Sequence, residues 1–160
     1  MKQYSVLMLL FFTFFFLGCN KTDNNLKWTS VNVSTPKPQG DAHLITKGNK
    51  VILIDGGEYN QGKNHLIPLL KRDNIDTFDE ILITHPHYDH YGGVIAILED
   101  NSFKVKKLYM NMPTQEQMKK EWWGGNTKIF YISKNLLKKE IFLYIKLNKE
   151  IYLDLISTLL

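Results

Sequence analysis

Cysteine is nearly absent from this sequence: the chain of 160 residues has one, Cys19, so no disulfide framework can form within it. An excess of charge of one sign is also missing from the body of the chain. Residues 19–127 contain 13 basic and 13 acidic side chains, although the whole chain carries a formal net charge of +4. A neutral body lacks the basic surface that binds a phosphate backbone, so composition gives no strong nucleic-acid signature.

The one long apolar run, residues 6–17, follows Lys2 and ends just before Gly18 and Cys19. About a dozen residues are too few to span a bilayer but fit the apolar region of a secretory signal. Gly18 directly before Cys19 resembles a bacterial lipobox, which implies a lipoprotein-type signal peptide over residues 1–18 and a lipid anchor on Cys19. The alternative is an uncleaved N-terminal anchor. Either arrangement places the rest of the chain outside the cytoplasm, and the lipobox predicts a bacterial membrane-anchored lipoprotein, periplasmic or on the cell surface. A polar tether is expected over residues 19–27.

Short apolar segments with strand-like and helix-like spacing follow the tether. Strands are predicted at residues 28–33, 42–46, 51–54, 81–83 and 105–110, and helices at 64–72 and 93–98. The all-apolar segment 81–83 is typical of a strand that is buried on both faces. Strands that alternate with helices favour an α/β layer architecture.

Three of the five histidines lie in the segment ITHPHYDHYGG, residues 83–93. Imidazole and carboxylate groups are common ligands of zinc. His85 and His87 lie two residues apart where a strand ends, so both can reach one ion, and Asp89 and His90 follow where they can reach a second. The two glycines that come next are expected to turn the backbone into a helix. This layout suits two metal ions roughly 3.5–4 Å apart that activate a shared water.

The same segment resembles the His-x-His-x-Asp-His signature of the metallo-β-lactamase superfamily. Segments 40–45 and 50–57 are similar to the first strands of that domain, most of all to the hydrolase-like domain of DNA-uptake competence proteins. The resemblance, over about residues 31–110, implies an αββα sandwich of which residues 28–125 supply the N-terminal half. It implies a zinc-dependent hydrolase that uses metal-bound hydroxide on an ester, lactone, amide or phosphodiester.

The resemblance also implies roles for individual residues. His85 and His87 are expected to bind the first zinc ion, and Asp89 and His90 the second. Asp89 is also the expected catalytic residue, which orients the attacking water or takes its proton. Asp55 is expected to support these ligands from behind; the alternative is that it caps the glycine turn that follows it.

Ligands that complete the site in the family are missing from the C-terminal part of this sequence. Family members add a third histidine, a bridging aspartate and a last histidine after the cluster, whereas no histidine follows His90 here. His43 and His65 are expected to be packed or solvated and not to bind metal. Residues 126–160 use only ten residue types, which suits either an amphipathic helix with a strand or an out-of-frame product.

Three functions therefore stay open. The first is a hydrolase with two zinc ions, whose small-molecule or phosphodiester substrate cannot be identified from the sequence. The second is a truncated, inactive fragment that binds one zinc ion weakly or none. The third is a lipid-anchored binding protein, including a homodimer that completes the missing half.

Overall fold

The computed structural model describes residues 24–33, 40–110, 116, 120 and 144–146. The predicted signal peptide, Cys19 and most of residues 126–160 lie outside these described residues. Among the described residues, none of the helices has both the length and the apolar character needed to cross a bilayer.

Six strands form one sheet whose spatial order follows the chain. They are β1 Leu26–Ser30, β2 His43–Lys47, β3 Lys50–Ile54, β4 Thr77–Ile83, β5 Lys104–Met110 and β6 Tyr144–Lys146. Strands β1 to β3 pair antiparallel, and β3 to β6 pair parallel. Strand β6 comes from the segment 126–160, and the domain boundary at residue 125 stays a prediction.

Helices supply the crossovers that parallel strands require. Between β3 and β4 the chain forms α1 (Tyr59–Gln61), a π-helical turn (Gly62–Leu66) and α2 (Ile67–Arg72). Helix α3 (Tyr88–Glu99) connects β4 to β5. The mixed α/β fold confirms the predicted fold class.

The central strands carry apolar side chains on both faces. Leu53, Ile81 and Leu108 are paired across β3, β4 and β5, and belong to a core cluster that includes Leu70 of α2 and Ile97 of α3. The neighbouring side chains on each strand point to the opposite face. They are also buried, with Ile52, Leu82 and Tyr109 at most 6% exposed. The prediction that segment 81–83 is buried on both faces is confirmed.

Strands β2, β3 and β5 are confirmed to within one residue, whereas β4 begins at Thr77, four residues before its predicted start. Strand β1 begins at Leu26 and ends at Ser30, two residues before its predicted start and three before its predicted end, and Val31 and Val33 beyond it are buried in the core. The first crossover is helical from Tyr59, five residues before the predicted start. There the Gln61 Oε1 accepts a hydrogen bond from the backbone N–H of Glu58 at 2.8 Å, which satisfies an N–H that the first helical turn leaves unpaired.

Helix α3 also begins five residues before its predicted start, at Tyr88 and not at Gly93. Gly92 and Gly93 lie inside the helix and do not form the expected turn. A Cβ on Gly93 would overlap the carbonyl oxygen of Gly56, and one on Gly92 would lie 2.5 Å from the backbone N of Tyr59. The two glycines therefore let α3 pack directly against the backbone that follows β3.

Replacing Gly93 by alanine tests this close approach. Alanine is favoured over glycine in a helix interior by about 1 kcal/mol, yet we expect Gly93→Ala to lower the free energy of unfolding by about 1–3 kcal/mol because the added methyl has no room. Urea unfolding of the full chain measures the change. An unchanged or higher stability would contradict the packing of α3 on Gly56.

Asp79 of β4 ties its two neighbouring strands together. Its carboxylate accepts hydrogen bonds from the backbone N of Val51 on β3 at 2.9 Å and from Lys106 Nζ on β5 at 2.7 Å. Burial alone raises the pKa of Asp79, but these two hydrogen bonds and the charges of Lys106 and Lys50 outweigh burial and lower it.

Asp79→Asn should lower the free energy of unfolding by about 1–2 kcal/mol at neutral pH. Because the pKa of Asp79 is lower in the folded than in the unfolded chain, its stabilising contribution is present above about pH 4 and is lost as the pH falls through the folded value. Urea unfolding at about pH 7 and about pH 3 should show the difference shrinking in acid. The control is Asp73→Asn, which removes the exposed ion pair between Asp73 and its neighbour Arg72. We expect it to lower the free energy of unfolding less than Asp79→Asn does, because an exposed ion pair contributes little. A pH-independent loss in Asp79→Asn would contradict this account.

Candidate metal centre

The histidine cluster lies where two neighbouring parallel strands end. Strand β3 ends one residue before Asp55, and β4 ends one residue before Thr84. Because parallel strands have their carboxyl ends at the same edge of a sheet, these two residues become neighbours. The backbone N of Asp55 donates to the carbonyl of Leu82 at 2.8 Å, which continues the pairing of the strands by one residue.

Asp55 is a buried carboxylate that accepts three hydrogen bonds. Its exposed fraction is 3%. Oδ1 accepts from the backbone N of Thr84 at 2.9 Å, and Oδ2 accepts from Thr84 Oγ1 at 2.7 Å and from His90 Nδ1 at 2.9 Å. The carboxylate thus joins the end of β4 to the first turn of α3, and its contacts are with these residues and not with the glycine turn.

These hydrogen bonds determine where two imidazole rings carry their protons. A carboxylate only accepts, so Thr84 must give its single hydroxyl proton to Asp55, and the Thr84 oxygen can then only accept from His85 Nδ1, 2.9 Å away. His90 Nδ1 must likewise donate to Asp55. Both neutral rings therefore carry the proton on Nδ1, which leaves the lone pair of each Nε2 free for a ligand.

The four predicted metal ligands lie close together. The ring centroid of His85 is 4.6 Å from that of His87 and 3.9 Å from that of His90. Asp89 Oδ2 is 3.9 Å from His90 Nε2. Because α3 starts at Tyr88, Asp89 and His90 occupy its first turn and are held by a helix instead of a loop.

Burial and charge change the proton affinities of two of these histidines in opposite directions. Burial lowers the pKa of His85, and the nearby His90 and His87 lower it further. Burial also lowers the pKa of His90, but the hydrogen bond and charge of Asp55, with the charge of Asp89, outweigh it and raise the pKa. His85 is thus the more readily neutral ring.

The donor set fits zinc in kind but not in number. Imidazole nitrogens with free lone pairs and a carboxylate are suitable ligands, and a catalytic zinc ion normally has three from the protein. In the part of the chain that the structure describes, no three His, Cys, Asp or Glu side chains are arranged to hold one metal ion. His43 Nδ1 instead accepts a hydrogen bond from Trp28 Nε1 at 3.3 Å, and His65 lies in the π-helical turn.

Sequence reasoning missed one residue of this centre, Thr84. The only signal was its position between the buried strand and the first histidine. Its two hydroxyl partners depend on the pairing of β3 with β4, which places Asp55 within reach, and that pairing is not visible in the local sequence.

Comparison with known proteins identifies the family. Residues 35–140 match the family model of the metallo-beta-lactamase superfamily. The chain belongs to the metallo-β-lactamase superfamily. Members of this superfamily are hydrolases, so the resemblance predicted from the histidine segment is confirmed at the level of the family.

Individual relatives match only part of their own length. The beta-lactamase-like protein 2 homolog of Drosophila melanogaster is 34% identical over 84 residues, which cover 51% of this chain and 25% of the relative. The hydroxyacylglutathione hydrolase of Idiomarina loihiensis is 35% identical over 57 residues, 36% of this chain and 21% of the relative. A solved metallo-β-lactamase-type structure from Thermotoga maritima has a TM-score of 0.46 at 17% identity and covers 78% of this chain and 58% of that one. The chain spans about a quarter or less of the curated relatives it matches.

Thr84→Val tests, without any metal, the hydrogen-bond relay that runs from His85 Nδ1 through the Thr84 hydroxyl to Asp55. Valine keeps the shape of threonine but cannot accept the hydrogen bond from His85 Nδ1, so we expect His85 to lose its preference for the Nδ1–H tautomer. Ring nitrogen chemical shifts of the metal-free full chain measure the tautomer. His90 bonds Asp55 directly and should keep its own tautomer.

The conservative variant Thr84→Ser retains the hydroxyl and serves as the control, with His85 unchanged. A His85 tautomer that is the same in Thr84→Val as in the wild type would rule out the relay.

Proposed function

We propose that this chain supplies part of the metal site of a zinc-dependent hydrolase, built at the carboxyl ends of β3 and β4. The observation that carries the proposal is the arrangement around Asp55. Two histidines that belong to different predicted metal positions, His85 and His90, are held by one buried carboxylate with both Nε2 atoms free. Such support from behind a ligand fixes its orientation and increases its basicity.

The residues present define which ligands each position would have. His85 and His87 would hold the first zinc ion, and Asp89 and His90 the second. Zinc, when bound, lowers the pKa of water and polarises the bond that is to be hydrolysed. Each position has two donors from the cluster, so further donors must come from outside the described residues or from a second copy of the chain.

The burial of the two aspartates, Asp55 and Asp89, suits them to different roles. The Asp55 side chain is 4% exposed and fully engaged, so it positions the histidines and cannot reach a substrate. The Asp89 side chain is 28% exposed and lies beside the histidines. Asp89 is therefore the carboxylate that orients the attacking water and accepts its proton at Oδ.

The chemistry of hydrolysis limits the type of bond that the substrate contains. An ester, lactone, amide or phosphodiester presents the polarised centre that such a site attacks. The Idiomarina relative is named a hydroxyacylglutathione hydrolase, which favours a small acyl substrate. The neutral body of the chain gives no support to a nucleic acid as substrate.

Zinc titration of the metal-free full chain tests this proposal. We expect zinc binding that weakens more than about tenfold in His87→Ala and stays unchanged in the matched control His65→Ala. Hydrolysis of a panel of nitrophenyl esters, lactones and bis(nitrophenyl) phosphate should increase with added zinc and fall in Asp89→Asn.

The stoichiometry separates the three open functions. Two tight ions per chain favour a complete hydrolase site, and ions that bind only at concentrations where the chain dimerises favour a site shared between copies. One weak ion or none, without hydrolysis, would identify an inactive fragment and overturn the proposed activity. Zinc binding that is equally strong in His87→Ala would place the metal elsewhere.

A further inference from the structure

The edge strand β1 carries two exposed apolar side chains. Leu26 is 53% exposed and Trp28 is 68% exposed, and they are the two large apolar residues that stand exposed in the described part of the chain. They are two residues apart in one strand, so their side chains point to the same face. Strand β1 lies at one end of the sheet order. Two neighbouring apolar side chains on an edge strand form a small surface that is suited to an apolar partner.

Trp28 is held in place. Its indole Nε1 donates a hydrogen bond to His43 Nδ1 at 3.3 Å, and the two rings meet edge to face with centroids 5.7 Å apart. One cationic side chain lies beside the apolar pair, because Lys47 is paired with Leu26 across the strands and so shares its face, whereas Lys27 points to the opposite face. A tryptophan with a neighbouring lysine is typical of protein segments at a membrane–water interface.

The N-terminal tether limits how far this surface can be from a membrane. Cys19 is seven residues before Leu26, so even a fully extended chain places them no more than about 25 Å apart. Both interpretations of the leader, a lipidated Cys19 and an uncleaved anchor, keep residue 19 at the bilayer. Strand β1 is the first element along the chain that the structure describes, so the bilayer is the apolar phase closest to it.

We propose that Leu26 and Trp28 insert into the interfacial region of the membrane that anchors the chain, so that the domain rests on the bilayer through its β1 edge. Lys47 then lies at the level of the lipid headgroups, where anionic lipids attract it. The proposal rests on the predicted N-terminal anchor and is independent of zinc binding and hydrolysis. It orients the folded domain on the membrane.

Quenching of Trp28 fluorescence by brominated lipids tests the insertion. The full chain with Trp122→Phe and Trp123→Phe retains Trp28 alone, and is reconstituted into phosphatidylcholine–phosphatidylglycerol vesicles with or without bromine near the headgroup end of the acyl chains. We expect bromine to reduce the emission at least twofold. A matched reporter chain adds Trp28→Phe and Lys104→Trp, at an exposed position that begins β5, and should not be quenched.

Leu26→Glu supplies a second readout at an exposed position, where a charge does not disturb the core. It should reduce the quenching of Trp28 at least twofold, while the chain still floats with the vesicles through its N-terminus. Unquenched Trp28 in floating vesicles would overturn the proposal and show that β1 faces water or another protein surface. Failure of the chain to float would overturn both the anchor and the proposal. The vesicle measurements need no zinc, so their outcome is separate from that of the hydrolase tests.

Discussion

The hydrogen bonds of the Asp55 carboxylate are the interaction on which the metal centre depends. A buried carboxylate is costly unless every lone pair that faces the protein is satisfied. Here three donors meet it, two from Thr84 and one from His90. None of these groups can move without leaving the charge unpaired, so the end of β4 and the first turn of α3 are fixed relative to each other. The predicted metal ligands on both segments therefore have their positions before any metal binds.

A steric constraint acts at the same place as this electrostatic one. His90 reaches Asp55 because α3 begins early and lies directly on the backbone after β3, an approach that a side chain at Gly93 would prevent. Two backbone hydrogen bonds hold the contact, from Gly56 N to the His90 carbonyl and from Gly93 N to the Gly57 carbonyl, each 2.8 Å. Asp55 itself has φ 56°, an uncommon conformation outside glycine. Such a backbone persists where surrounding contacts determine it, as its three hydrogen bonds do here.

The sequence predicts those features that depend on local pattern. Strands β2 to β5 follow from runs of apolar side chains, and the histidine segment indicates the family and four candidate ligands that the structure brings close together. The start of α3 was predicted wrongly because two consecutive glycines are typical of a turn, and only the packing against Gly56 explains them inside a helix. The hydrogen-bond relay through Thr84 and the hydrogen bond from Val51 N to Asp79 were not predictable either. Both depend on which strands pair and in what register, and that information is spread over distant parts of the chain.

The hydrogen bonds around Asp55 also link the two predicted metal positions. Asp55 contacts His90 directly and His85 through Thr84, so one carboxylate orients a ligand of each predicted metal position. The two positions are therefore coupled through the protein as well as through any ion. Part of the ordering that metal binding requires is already present in the fold, which lowers the entropic cost of each coordinate bond. The number of donors then limits affinity. For this chain, the source of the remaining donors determines whether the arrangement of donors produces catalysis.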